Sequence, residues 1–146
     1  MLIGQFKVKV GEKARIAFPK RFREELGDKL VVTYGFEGSL IVVSEKNWRS
    51  LLTGTEGKPF LLSETRDIRR FLLGGATLAE LDRQGRFVLP EYLRDYSRVG
   101  EEVVFVGQET YVEVWNLEAW RKYEEENRKN IAEVAEKLIE KLDDSK

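Results

Sequence analysis

Arg15 and Arg86 each open a short apolar run that ends in proline, Ile16-Ala17-Phe18-Pro19 in one case and Phe87-Val88-Leu89-Pro90 in the other. An arginine at the mouth of a strand presents a planar fork of N–H donors. That fork matches a guanine edge or a phosphate with two parallel bonds. Around Arg86 the spacing is Asp82-x-x-Gly85-Arg86. A carboxylate four residues earlier can bridge the turn and hold the guanidinium at a set angle, while glycine permits the positive φ of a tight turn. Around Arg15 those two partners are replaced by Gly11 and Ala14. Arg15 therefore lacks an intramolecular anchor, Glu12 has the wrong spacing to supply one, and the first turn is expected to take a different shape. Lys13, Arg83 and Lys9 stand on or beside the two turns as further cations able to touch phosphate.

Composition removes most other chemistry. The chain has no cysteine and no histidine. Disulfides and thiolate chemistry are excluded, and so are Ser-His-Asp and Cys-His enzymes. The acidic runs Glu124-Glu125-Glu126 and Asp143-Asp144 read as solvated faces rather than metal sites. We expect no enzyme, no cofactor and no small-molecule substrate. No apolar run approaches the roughly 18 to 20 residues of a membrane helix. The first residues, MLIGQFKVKV, do not form a basic leader with an apolar core, so a cytoplasmic protein without a membrane partner is expected. Net charge is −1, yet residues 1–74 carry 14 basic and 9 acidic side chains, against 11 and 17 in residues 75–146. That asymmetry suggests one basic working surface and an acidic remainder.

The two arginines belong to a repeat. At an offset of 71 positions Arg15 meets Arg86, Pro19 meets Pro90 and Arg23 meets Arg94. At an offset of 72, Gly35 meets Gly107, Val42 meets Val114 and Trp48 meets Trp120. So many residue types matching in one order mark a duplication. Each copy predicts the same elements. Residues 5–10 alternate apolar and polar, the period of a half-buried strand. A charged turn follows at 11–14 or 82–85, then a second strand at 15–18 or 86–89. Proline ends that strand and suits a helix start, giving short helices at 20–26 and 91–96 with Phe22, Leu26 and Leu93 inward. Hairpins follow at 29–34 with 39–43, and at 102–106 with 111–115. Ser44 and Asn116 are suited to cap the helices that contain Trp48 and Trp120.

Between the copies lie a loop at 53–59 and a helix at 64–73, capped by Ser63 and stopped by Gly74-Gly75. Its Arg66, Arg69 and Arg70 read chiefly as a solvated face, and Arg23 as half of a structural ion pair. The tryptophans read as core or interface residues rather than base-stacking platforms. After Trp120 a polar helix runs to about Leu142. Tyr123, Ile131, Val134, Leu138 and Leu142 give it a narrow apolar stripe, so it is expected to pack on a neighbouring subunit or fray into solvent.

The pattern Asp82-x-x-Gly85-Arg86, a strand, then Pro90-x-x-Leu93-Arg94 resembles the swapped-hairpin AbrB-type DNA-binding module. Two copies, each followed by a hairpin and a Trp-containing helix, resemble the MraZ family of bacterial transcriptional regulators, which is associated with the division and cell-wall gene cluster. The similarity spans Met1 to about Tyr123. It implies two AbrB-like halves folded together, subunits assembled in a ring, and binding to short repeated promoter elements through the Asp-x-x-x-Arg turns. Asp82 and Arg86 match that motif fully; in the first copy only Arg15 does.

The expected architecture is α+β: two tandem β-rich modules with short helices, related by a pseudo-twofold axis, plus a C-terminal helix. The division is 1–52, a linker at 53–74, 75–123 and a helical tail at 124–146. A unit of about 50 residues is marginal alone, which favours a homo-oligomer. The expected partner is double-stranded DNA, with a nucleoid location. Arg15, Arg86, Lys13, Arg83 and Lys9 are the DNA-binding candidates, and Asp82 and Gly85 orient the second turn. The competing reading is an architectural or protein-interaction ring in which DNA is incidental.

Overall fold

Apolar–polar alternation over Gln5-Phe6-Lys7-Val8-Lys9 becomes strand β1 (Gln5–Lys9) in the computed structural model, which describes residues 1–53 and 57–144. The centre of the expected loop at 53–59 and the last two residues of the tail lie outside the described residues. The first copy continues with β2 (Arg15–Ala17), α1 (Lys20–Leu26), β3 (Lys29–Tyr34), β4 (Leu40–Ser44) and α2 (Trp48–Leu51). The linker helix is α3 (Ser63–Gly74). The second copy runs β5 (Thr77–Glu80), β6 (Arg86–Val88), α4 (Glu91–Ser97), β7 (Glu102–Gly107) and β8 (Val112–Asn116), then α5 (Leu117–Asp144).

The six-stranded sheet has the order β1-β7-β8-β4-β3-β5, which reads the same from either edge once equivalent strands are exchanged. Each copy's first strand leaves its own hairpin and pairs with the other's. Lys9 lies opposite Glu102 on β7, while its counterpart Glu80 lies opposite Lys29 on β3. At the centre β4 and β8 pair antiparallel through the equivalent residues Ile41 and Glu113. The small β2–β6 sheet pairs Ile16 with its own equivalent, Phe87. An antiparallel ladder centred on equivalent residues requires a local twofold axis, so the two β-rich halves fold as one pseudo-symmetric α+β unit.

Strand exchange explains why half a chain of this size need not stand alone. Both copies feed one core, in which Ile16, Leu93 and Phe105 are fully buried beside Phe18, Phe22, Phe87 and Leu89. Phe6 and Phe22 meet edge to face at 5.0 Å, and Phe18 lies 4.9 Å from Phe105. Truncating a ring such as Phe22 to alanine would cost about 3–5 kcal/mol. The opposite face of the sheet is covered by two smaller clusters. Ile41, Leu52 and Leu72 pack with Trp48 and Phe71 under α2 and α3. Val104, Val106 and Trp115 pack with Leu117 and Trp120 under the start of α5. The tryptophans are therefore packing residues.

The helix signals are kept in part. The carbonyl of Pro19 accepts from Phe22 and Arg23, and that of Pro90 from Leu93 and Arg94, so each proline immediately precedes its helix. Ser44 Oγ accepts from the Asn47 N–H at 3.1 Å and Asn116 Oδ1 from the Ala119 N–H at 3.0 Å. Ser63 is not a cap. The Leu62 carbonyl accepts from the Arg66 N–H, and Ser63 falls inside the first turn.

One alignment also moves. The pairs Lys29–Glu80 and Glu102–Lys9 make Lys29 the counterpart of Glu102, which sets Tyr34 rather than Gly35 against Gly107. The first hairpin closes at Tyr34–Leu40 and the second at Gly107–Val112. The second loop is one residue shorter, and that difference restores the later match of Val42 with Val114.

Candidate nucleic-acid interface

The β2–β6 ribbon carries both arginines. Arg15 lies opposite Val88, Ile16 opposite Phe87, and Ala17 opposite Arg86. Strand alternation sends Ile16 and Phe87 into the core, where they are 0% and 4% exposed. It sends Arg15, Ala17, Arg86 and Val88 to the outer face. Arg15 and Arg86 thus stand at diagonal corners of one surface, their Cα atoms about 8 Å apart from strand spacing and rise. Two matched bonds close the ribbon: the Phe18 N–H to the Gly85 carbonyl at 2.9 Å and the Leu89 N–H to the Ala14 carbonyl at 3.0 Å. Each turn is thereby fastened to the strand end of the other copy.

The second turn is built around Asp82. Its Oδ1 accepts from the backbone N–H groups of Gln84 at 2.8 Å and Arg86 at 2.9 Å, and its Oδ2 accepts from Arg86 Nε at 3.1 Å. The Asp82 N–H returns a bond to the Arg86 carbonyl at 2.8 Å. These contacts, the Arg86 backbone N–H foremost, hold the Asp82 carboxyl below the usual aspartate range. Gly85 supplies φ +74°. With Nε engaged by Asp82, the terminal nitrogens of Arg86 are left to donate to a ligand.

The first turn departs from this plan as its sequence predicts. Gly11 keeps the outer bond, its N–H donating to the Arg15 carbonyl at 2.8 Å. Inside, residues Glu12–Ala14 form a tight single turn with Lys13 at φ 58° and Ala14 at φ 55°. Left-handed backbone costs a non-glycine residue about 1–2 kcal/mol. Ala14 is buried in the core, so packing of its methyl offsets part of that cost. Arg15 is half-buried, and its side chain has no hydrogen bond or ion pair among the described residues.

The remaining candidates gather less tightly. Lys13 and Arg83 are exposed on the two turns, and Lys9 is exposed at the end of the edge strand β1. Among the described residues Arg23 forms no ion pair, contrary to expectation. Its guanidinium instead lies against Gly85 of the other copy, where an added methyl would run into Nη1, Cδ and Cζ, and its Nε is buried without a partner. Arg66 is tied down by the Phe60 carbonyl at 2.8 Å, and Arg70 lies 3.6 Å from Asp67. Sequence reasoning passed over Val88, although the alternation Arg86-Phe87-Val88 already puts it on the arginine face.

Away from the ribbon, the base of α5 is anchored by aromatic contacts and a hydrogen bond. Trp115 meets Trp120 edge to face at 5.1 Å and Tyr123 at a tilt at 5.0 Å, and Trp120 Nε1 donates to Gln5 Oε1 at 3.1 Å. Beyond it Ile131, Val134, Leu138 and Leu142 remain about half exposed, at 52%, 46%, 57% and 56%. Among the described residues no helix is long and apolar enough to cross a membrane, and no group of three or more acidic residues could hold a metal ion.

Two comparisons bear on this arrangement. A family model described as "MraZ protein, putative antitoxin-like" matches twice, over residues 1–71 and 72–142. The chain is 39% identical to the transcriptional regulator MraZ of Moorella thermoacetica over 140 residues, 96% of this chain and 98% of that protein. It is 36% identical to the same-named protein of Caldanaerobacter subterraneus subsp. tengcongensis over 138 residues, 94% of this chain and 96% of that one. It is also 36% identical to that of Desulforamulus reducens over 142 residues, 97% of this chain and all of its relative.

Proposed function

This chain belongs to the MraZ family of transcriptional regulators, and on that premise we propose that it binds double-stranded DNA by laying the outer face of the β2–β6 ribbon in a major groove. The observation that carries this reading is the shared face of Arg15 and Arg86. A two-stranded ribbon, with strands about 4.8 Å apart, fits a groove about 12 Å wide. Arg86 arrives oriented by Asp82 and reads a guanine edge. Arg15, with no side-chain partner among the described residues, gives an electrostatic grip and less geometric selection. Lys13, Arg83 and Lys9 reach phosphates and set the salt dependence.

The targets on this reading are short repeated promoter elements of the division and cell-wall gene cluster, met by a ring-shaped homo-oligomer in the nucleoid. Several weak contacts per subunit sum by avidity when the elements match the ring's spacing. Residues 1–52 and 75–123 supply the two readers, 53–74 the linker, and 124–146 the tail. The exposed stripe of α5 supports assembly with further copies. It also favours the second reading, a scaffold ring whose contact with DNA is incidental.

Titration of labelled promoter DNA at two salt concentrations separates the two. Wild type should bind more weakly at the higher salt. Arg15→Ala combined with Arg86→Ala should abolish specific binding with the oligomer intact. Unchanged binding by the double variant would sink the ribbon mechanism, and no binding by either protein would favour the scaffold.

A further inference from the structure

The outer face of the ribbon holds an apolar side chain as well as its arginines. Val88 is 56% exposed, lies directly opposite Arg15, and stands two residues along the strand from Arg86. An exposed valine elsewhere on a sheet would need no explanation. Here it sits on the surface that enters the groove. Its counterpart across the pseudo-twofold axis is Ala17, which lies opposite Arg86 and is half-buried. One end of the face therefore pairs an unanchored arginine with a projecting isopropyl group. The other pairs an anchored arginine with a methyl that reaches less far.

We propose that Val88 reads the 5-methyl group of a thymine beside the base pair engaged by Arg15. The inference rests on the DNA reading given above and adds to it a base preference. The thymine methyl is the apolar group on the major-groove edge. Val88 has neither donor nor acceptor, so it gains by burying that methyl. Against the cytosine amino group or the guanine O6 it would strip water from a polar atom and offer no bond in return. The preference belongs to the Arg15 end of the ribbon, because Ala17 is too short to make the same contact at the Arg86 end. Selectivity lost at the first turn through its missing aspartate is in this way partly replaced by a side chain from the second copy.

The test begins with selection from a randomised duplex pool by wild type and by Val88→Ala, with thermal melting and light scattering to check fold and oligomer. Thymines in the wild-type duplex are then replaced one at a time by deoxyuridine, which lacks only the methyl. Wild type should enrich a thymine next to a guanine, and deoxyuridine there should weaken binding about fourfold, the worth of one buried methyl-sized group. Val88→Ala should lose that thymine preference and become indifferent to the replacement. Equal losses in both proteins would overturn the proposal, since another group would then be reading the methyl. A changed oligomer mass in Val88→Ala with the base preference intact would make Val88 a protein contact and overturn it as well. Failure of either protein to enrich any sequence would remove the DNA reading beneath it.

Discussion

Asp82 and Arg86 are joined three times across one turn: carboxylate to guanidinium at 3.1 Å, carboxylate to backbone N–H at 2.9 Å, and backbone N–H to carbonyl at 2.8 Å. The carboxyl is lowered chiefly because it accepts the Arg86 backbone N–H. A carboxyl depressed by folding stabilises its surroundings above the ordinary aspartate value of about 3.9 and loses that effect as pH falls through the folded value. The chain has no histidine, so no side chain of ordinary pKa titrates near neutrality. DNA affinity at fixed salt should stay flat between about pH 5.5 and 7.5. NMR titration of the Asp82 carboxyl should give a midpoint below that of aspartate in an unfolded peptide. A clear slope in affinity, or a midpoint at the peptide value, would count against the turn as described.

Gly85→Ala meets two obstacles, the φ of +74° and the Arg23 guanidinium packed against it. Destabilisation of about 1–3 kcal/mol is expected in denaturant melts. In an Arg23→Ala background the steric part disappears and the φ part stays, so Gly85→Ala should cost less there. Equal costs in both backgrounds would show that the Arg23–Gly85 contact carries no energy.

Lys13 is exposed with φ 58°, so Lys13→Gly relieves strain without emptying any packed space. Stability should rise by about 0.5–1 kcal/mol, the strain relief less the added chain entropy of glycine. If Lys13 touches phosphate, DNA affinity should fall and the salt slope should shrink by about one unit. Greater stability with unchanged DNA binding would confine Lys13 to the turn.

Leu138→Glu together with Ile131→Glu adds charge to the exposed stripe of α5, well beyond the Trp115–Trp120 anchor. Light scattering should show a smaller assembly, and far-UV circular dichroism an intact fold. DNA affinity should drop by more than tenfold through lost avidity. An unchanged mass would exclude this stripe as the interface.

Local chemistry carried most of the fold into the sequence. Pro19 and Pro90 set the helix starts, Ser44 and Asn116 cap as their side chains allow, and Phe22 and Leu93 face inward by helical spacing. The second turn was legible because Asp82, Gly85 and Arg86 each have one dominant local use. Long-range packing was not. Nothing near Lys29 announces Glu80 as its partner across the sheet, and the shorter second hairpin loop is visible only through pairing. The resting place of Arg23 on Gly85 follows from strand exchange, which brings α1 of one copy against the turn of the other. Ser63 misled because the chain before it turns one residue earlier than its cap chemistry suggests.

The palindromic strand order has a consequence for how a DNA element must be written. A dimer of identical halves presents the same reader twice and is suited to an inverted repeat. Here the halves are joined in one chain and are not identical: Asp82 and Gly85 stand in one, Gly11 and Ala14 in the other. The twofold arrangement of strands therefore carries two unequal turns, which gives the head a polarity. On the proposed DNA reading, an element that fitted it would have a front and a back, and neighbouring elements would serve neighbouring subunits best when all ran in the same sense along the strand.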